Sequence, residues 1–163
     1  MERDMLEQLY REHYRAAWLY VLSLCRDPTL AEDLVADAFV KAYLSFPEAH
    51  TGFRFWLLRV CRNLWLDHLR REAHRESDPP ELHTDRTPEQ VILERERQET
   101  LYRCIGELPR RDRELLTLFY FSGLSVREIA AMVGGSEGAV RTGLCRARGR
   151  LQKRMEEEGY GIS

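Results

Sequence analysis

The stretch from His74 to Pro88, HRESDPPELHTDRTP, most limits the folds open to this chain of 163 residues. It holds three prolines and has Leu82 as its only large apolar residue, so it cannot bury a core. It therefore predicts a flexible linker at 74–88. On either side, two separate domains are predicted, the first at 1–73 and the second at 89–158.

Apolar residues in both domains recur at the spacing of helices, and strand-like alternation is hard to find. Asp27-Pro28 interrupts the first helical stripe, and Thr29 with Glu32 has the spacing of a capping box that would open a second helix. A third helix is predicted over about residues 54–73. The fold class is therefore all-α, with two small helical domains.

The second domain ends with the signals of a helix-turn-helix. Ser125 and Glu128 have capping-box spacing, and a short apolar helix follows them. Gly134-Gly135 then supplies a sharp turn, because glycine reaches positive φ without strain. Ser136 is placed to cap the next helix.

That last helix separates an apolar stripe from a polar face, at about 100° per residue. The stripe consists of Val140, Leu144, Ala147 and Leu151. Small residues lie opposite it and arginines flank it, an arrangement that suits contact with base edges and phosphates. The outward set comprises Arg141, Thr142, Cys145, Arg146 and Arg148. A surface helix in an ordinary helix pair is the alternative.

Charge alternates strongly along the chain, although the total is only −2. Residues 51–75 carry a net charge of +4 and residues 108–155 carry +6, whereas the segments between and around them are acidic. Because local potential matters more than net charge, two basic islands could hold a polyanion such as DNA at two places.

The third helix interleaves aromatic residues with arginines, which is what unstacked single-stranded bases require. Trp56 is a candidate for stacking, and Asn63 lies off the apolar stripe, where it could bond an extruded base. The alternative is that these aromatic residues fill a three-helix core. In the second helix, Asp33 and Asp37 would repel DNA and suit a basic protein partner, unless they form a merely solvated face.

The same sequence argues against several other classes of protein. No phosphate-binding glycine loop, nucleophile–base arrangement or cluster of metal ligands is visible, so neither an enzyme nor a cofactor is predicted. The four cysteines are widely spaced and are expected to be reduced. With no apolar run of bilayer length and no signal peptide, we expect no membrane insertion and a cytoplasmic location.

Three segments resemble the bacterial RNA polymerase sigma factors of the extracytoplasmic-function (ECF) type, in the sigma-70 family. They are AEDLVADAFVKAY (31–43), FRFWLLRVCRNLWLDHLRRE (53–72) and LPRRDRELLTLFYFSGLSVREIAAMVGGSEGAVRTGLCRARGRL (108–151). The resemblance implies a region 2 helical bundle in the first domain and a region 4 helix-turn-helix in the second. The first would bind the polymerase clamp and recognise and melt the −10 promoter element, and the second would read the −35 element.

By position, the resemblance assigns three sets of residues. The clamp surface falls on Asp33, Leu34, Asp37 and Phe39, and the −10 surface on Trp56, Arg59, Arg62 and Asn63. The −35 readers are Arg141, Thr142, Cys145 and Arg146, with Arg148 and Arg127 as phosphate contacts. Core RNA polymerase and promoter DNA are thus the implied partners, together with an anti-sigma factor. The competing hypothesis is a helix-turn-helix regulator that acts without polymerase.

The chain departs from the family pattern at three positions. Ala36 stands where a glutamine is frequent, Gly135 replaces a usual apolar turn residue, and Gly143 replaces a common arginine or threonine. Gly143 is expected to cost about 1 kcal/mol of helix stability relative to alanine.

Overall fold

The computed structural model describes residues 2–46, 52–74 and 96–160, with the backbone alone for 96–99. Over these ranges the chain forms seven α-helices and no strand, as the sequence predicts. No helix in the described ranges is both long enough and apolar enough to cross a bilayer. The chain divides into two compact units, Met1–Thr84 and Asp85–Ser163. Apart from His74, the predicted linker lies outside the described residues, as does the predicted start of the second domain at residue 89.

Three helices form the first unit: α1 (Arg3–Cys25), α2 (Pro28–Ser45) and α3 (Phe53–Ala73). Each packs against the other two. Their core is built from residues spaced three or four apart on each helix, among them Tyr20, Val21, Val35, Ala38, Leu57, Leu58 and Cys61, all at most 1% exposed. Only the C-terminal part of α1 is buried, beginning at Ala17.

The start of α2 differs from the sequence prediction. Asp27 is its N-cap, and the Asp27 Oδ1 atom accepts hydrogen bonds from the backbone N–H of Thr29 at 3.1 Å and of Leu30 at 3.2 Å. Pro28 occupies the first helical position, where its missing N–H costs nothing. The Asp-Pro pair therefore begins the helix, and the predicted capping box at Thr29 is wrong.

His13 lies on α1 beside Phe53, with ring centroids 5.2 Å apart. Burial, and then the positive charge of Arg54, lowers the pKa of His13 below its ordinary value of 6.5, and Glu12 opposes this shift. Because the pKa of His13 is lower in the folded chain, the unfolded chain binds more protons than the folded chain does as the pH falls below 6.5. The free energy of unfolding of the first unit should therefore decrease from pH 7 towards pH 5.

Replacing His13 with phenylalanine should make this pH dependence weaker, because an aromatic ring still packs at this position but the titrating imidazole is gone. All three tryptophans of the chain lie in the first unit, so urea unfolding followed by tryptophan fluorescence reports on it alone. His74→Gln, at the exposed end of α3, is the control. Equal pH slopes for the wild type and His13→Phe would contradict the prediction.

The second unit contains α4 (Glu96–Gly106), α5 (Arg110–Leu116), α6 (Val126–Val133) and α7 (Glu137–Glu157). A π-helical turn, Thr117–Phe121, continues α5. The helix α7 packs against the other three. Its stripe of Val140, Leu144 and Ala147, at most 2% exposed, meets core residues such as Leu108 and Leu116.

The caps and the turn predicted for the helix-turn-helix are confirmed. Ser125 Oγ accepts from the backbone N–H of Glu128 at 3.1 Å, and Glu128 Oε1 accepts from the N–H of Ser125 at 3.0 Å. Ser136 Oγ accepts from the N–H of Ala139 at 3.0 Å. Gly134 has φ +82° and Gly135 has φ +112°, so the turn requires glycine at both positions.

Gly143 lies where α7 approaches α5. A Cβ atom at this position would lie 2.7 Å from Leu115 Cδ1, and Leu115 is fully buried. The absence of a side chain allows the two helices to pack at this distance. The helix propensity expected to be lost at Gly143 is thus offset by close packing with Leu115.

The four cysteines are free thiols. Cys61 and Cys104 are buried in the cores of the first and second unit, and burial raises the pKa of Cys61 to about 12. Cys145, by contrast, is exposed on α7. Of the four, Cys145 is therefore the most accessible to a partner.

Candidate nucleic-acid and protein interfaces

The N-terminal half of α7 exposes the side chains that sequence analysis assigns to −35 reading. Arg141, Thr142, Cys145 and Arg146 are all exposed, whereas Val140 and Leu144 are buried beneath them. Arg141 Nη2 lies 3.7 Å from Glu137 Oε1, in an exposed pair one turn apart. Such a pair is worth little in water, so the guanidinium remains able to exchange this partner for phosphate or guanine.

Arg148 and Arg127, the predicted phosphate contacts, are also exposed. Arg148 lies on the same flank of α7 as Arg141, about 20° away around the helix axis. Its Nη1 atom donates a hydrogen bond of 2.9 Å to the hydroxyl oxygen of Tyr120 in the π-helical turn. This hydrogen bond is the largest effect on the pKa of Arg148 and raises it, whereas burial has a smaller, opposite effect. Arg148 carries a positive charge, as arginines do in proteins.

Two arginines in the C-terminal half of α7 are paired with carboxylates of the second unit. Arg150 Nη1 donates to both carboxylate oxygens of Asp112, at 3.0 and 2.7 Å, and the Asp112 side chain is only 5% exposed. Arg154 Nη1 lies 2.9 Å from Glu107 Oε2. These two arginines thus fasten α7 to α5 and to the turn that follows α4.

Removing the carboxylate that holds Arg150 should destabilise the second unit. Asp112→Ala is expected to lower the free energy of unfolding by about 1–2 kcal/mol, the scale of a charged hydrogen bond reduced because Arg150 is half exposed. Arg150→Ala should cost as much or more, because it leaves a buried carboxylate unpaired. Amide hydrogen exchange of α5 and α7 measures the change.

Arg111→Ala is the control for this prediction, because Arg111 is exposed on the same helix as Asp112. It should leave the exchange rates of α5 and α7 unchanged. Protection of both helices that stays at the wild-type level in Asp112→Ala would show that the ion pair does not stabilise the unit.

On α3, the predicted −10 residues fall into two groups. Trp56, Arg59 and Asn63 lie within about 60° of one another around the helix axis. Arg59 and Asn63 are exposed, and Trp56 is half-buried. Arg62 is rotated about 60° from Arg59, is partly buried and has an interaction within the protein. The first three therefore form a common surface, and Arg62 lies at its border.

Trp56 is held by two other rings. Its ring centroid lies 5.1 Å from that of Phe46, in an edge contact, and 6.0 Å from that of Phe53, in a stacked one. One face packs on the core while part of the ring remains in solvent. Phe53 and Trp65 are thus buried in the core, as the alternative reading expects, and Trp56 lies at its edge.

The residues assigned to the polymerase clamp fall into an exposed pair and a buried pair. Asp33 and Asp37 are exposed, whereas Leu34 and Phe39 are 5% and 6% exposed. The ring of Phe39 packs at a tilt against those of Tyr10 and Phe53, with ring centroids 4.9 and 6.3 Å apart. Leu34 and Phe39 therefore belong to the packing that holds α2, and we leave them out of the contact surface.

Other residues complete the surface around the two aspartates. Val40 is 57% exposed, Tyr43 is 47% exposed and Leu44 is 74% exposed, on the same side of α2 as Asp33 and Asp37. Ala36 is exposed between them. We call Asp33, Ala36, Asp37, Val40, Tyr43 and Leu44 the α2 face. Sequence reasoning missed Tyr43 and Leu44, although a helical wheel centred on Asp33 would place Leu44 beside it.

Both units match known families. Residues 9–75 match the family model for Sigma-70 region 2, and residues 98–151 match the model for Sigma-70, region 4. The first match includes α2 and α3, and the second extends from α4 to Leu151 in α7.

Individual relatives are similar over nearly the whole chain. The RNA polymerase sigma factor YlaC of Bacillus subtilis (strain 168) is 33% identical, over 94% of this chain and 93% of the relative. The ECF RNA polymerase sigma factor SigM of the same organism is 29% identical, over 90% and 93%.

Two solved structures share the fold. The sigma factor RpoE in complex with the anti-sigma factor NepR, from Bartonella quintana, has a TM-score of 0.70 at 22% identity, covering 95% of this chain and 98% of that one. CnrH in complex with the cytosolic domain of CnrY has a TM-score of 0.66 at 26% identity, covering 96% and 90%.

Proposed function

The chain belongs to the ECF group of the sigma-70 RNA polymerase sigma factors, and from this membership we propose how its two units act in transcription initiation. The first unit docks on core RNA polymerase through the α2 face and binds the −10 element through α3. The second unit reads the −35 element through α7. Catalysis belongs to the polymerase, in the bacterial cytoplasm, and this chain contributes binding energy alone.

The exposed face of α7 carries the proposal for the second unit. Its small side chains, Thr142 and Cys145, let the helix approach base edges, while Arg141 and Arg146 reach guanine or phosphate. Arg127 and Arg148 would contact phosphates and set the position of the helix along the duplex.

For the first unit, the proposal rests on the surface formed by Trp56, Arg59 and Asn63. A half-exposed aromatic ring offers a stacking face to an unpaired base, and Asn63 can pair with its edge. Arg59 would neutralise a neighbouring phosphate. Binding of extruded bases favours the melted form of the −10 element, which is how the chain would assist promoter opening without chemistry of its own.

We also propose an anti-sigma partner. The CnrH relative was solved with the cytosolic domain of CnrY bound. The α2 face of this chain exposes Val40, Tyr43 and Leu44, and large exposed apolar side chains are typical of sites that a protein partner covers. A partner that covered this face would exclude core polymerase.

Transcription with core polymerase on fragmented genomic DNA tests the proposed function. Adding the chain should create start sites preceded by a shared pair of elements at −35 and −10. A pool of start sites that does not change on addition would reject it. Tight duplex binding without affinity for core polymerase would instead support a regulator that acts alone, a function that the region 2 match does not favour.

A further inference from the structure

Tyr120 is a largely exposed aromatic residue whose ring makes an edge contact with Phe119, at 5.0 Å between ring centroids. It lies in the π-helical turn Thr117–Phe121, and 53% of its surface is exposed, although it is a large aromatic residue. The backbone N–H of Ser122 bonds the carbonyl of Thr117 at 2.9 Å, five residues earlier, which closes the wide turn. Such turns inside helices occur frequently at functional sites.

The hydroxyl of Tyr120 meets Arg148 across the unit. Arg148 Nη1 donates to Tyr120 Oη at 2.9 Å, although the two residues are 28 positions apart in the chain. This bond uses one of the five N–H groups of the guanidinium, so the others remain to bind an anion. It also restricts a long side chain that would otherwise lose rotamer entropy on binding.

We propose that Tyr120 is a positioning residue for DNA binding, because its hydroxyl holds Arg148 in the orientation that contacts a backbone phosphate beside the −35 element. The inference rests on the proposed function of α7. Tyr120 itself touches no base, so it acts on affinity and not on sequence preference. It acts entirely through Arg148.

The test measures the promoter affinity of holoenzyme reconstituted with Tyr120→Phe or with the wild-type chain, on promoters that keep or lack the −35 element. The ring is retained and only the hydroxyl is lost. Tyr120→Phe should weaken binding about threefold on every −35 sequence by the same factor, the scale of one hydrogen bond. Binding to a promoter fragment truncated downstream of the −35 element, which lacks this phosphate, should stay unchanged.

A double-mutant cycle separates positioning from a structural role. In an Arg148→Ala background, adding Tyr120→Phe should cost nothing further, and Arg148→Ala alone should lower the slope of log affinity against log salt by about 0.9. Tyr102→Phe is the matched control, because Tyr102 lies in the same unit against Phe121, at 5.4 Å between ring centroids. It should bind as the wild type does.

Several results would overturn the inference: wild-type affinity in Tyr120→Phe, a loss that persists in the Arg148→Ala background, or a loss that differs between −35 sequences. A fall in melting temperature that accounts for the loss would show a structural role. If wild-type holoenzyme fails to prefer promoters with a −35 element, the proposed function fails instead, and the two failures are therefore distinguishable.

Discussion

Reversing the charge of both Asp33 and Asp37 to arginine should weaken binding to core RNA polymerase by at least about 100-fold. Both side chains are exposed on α2, so the variant should fold, and both belong to the proposed docking surface. Placing two cations against a basic partner costs several kcal/mol, and about 2.7 kcal/mol already corresponds to 100-fold. Titration of fluorescently labelled chain with core polymerase, without DNA, measures the dissociation constant.

The matched control makes the same charge change elsewhere on the first unit. Asp4 and Glu7 are exposed near the start of α1, so Asp4→Arg with Glu7→Arg should leave polymerase affinity within about twofold of wild type. Leu44→Ala should give an intermediate loss, since it removes an exposed apolar contact from the same face. Wild-type affinity in the Asp33 and Asp37 variant would place the polymerase contact on another surface.

Replacing both Arg141 and Arg146 with alanine should reduce initiation at −35-dependent promoters by about 100-fold. Each arginine that pairs with guanine contributes about 1–3 kcal/mol of discrimination, and both side chains are exposed on α7. Start-site abundance from reconstituted holoenzyme measures the loss. Single variants should relax the preference at different base pairs, which a randomised −35 library would reveal.

Arg111→Ala removes an exposed arginine from α5 in the same unit and should leave promoter choice unchanged. It controls for the general loss of positive charge. Should the double variant keep both its output and its base preference, α7 does not read the promoter.

The helix-turn-helix could be predicted from sequence because its signals are local. Ser125 with Glu128, the two glycines and the cap at Ser136 act on residues within one turn, and the buried stripe of α7 follows from its periodicity alone. For α2, the sequence predicts less well which residues are buried and which are exposed. Apolar residues lie all round it, so only packing against α1 and α3 decides that Phe39 is buried and Val40 is exposed.

Contacts distant in sequence could not be predicted at all. Arg148 with Tyr120 and Arg150 with Asp112 join residues 28 and 38 positions apart, and no local pattern links them. The periodicity of α7 places Arg141, Arg146 and Arg148 outward, but it does not show that Arg148 bonds Tyr120 or that Arg150 bonds Asp112. Likewise, the sequence predicts only a loss of helix stability at Gly143, because its proximity to Leu115 depends on how α5 and α7 pack.

We expect the division of the arginines along α7 to set the length of its footprint on a duplex. Since Arg150 and Arg154 are fastened to Asp112 and Glu107, the proposed DNA contacts on α7 run from Arg141 to Arg148. Seven steps of 1.5 Å make about 10.5 Å, and successive base pairs are about 3.4 Å apart. One reading helix should thus span about three base pairs.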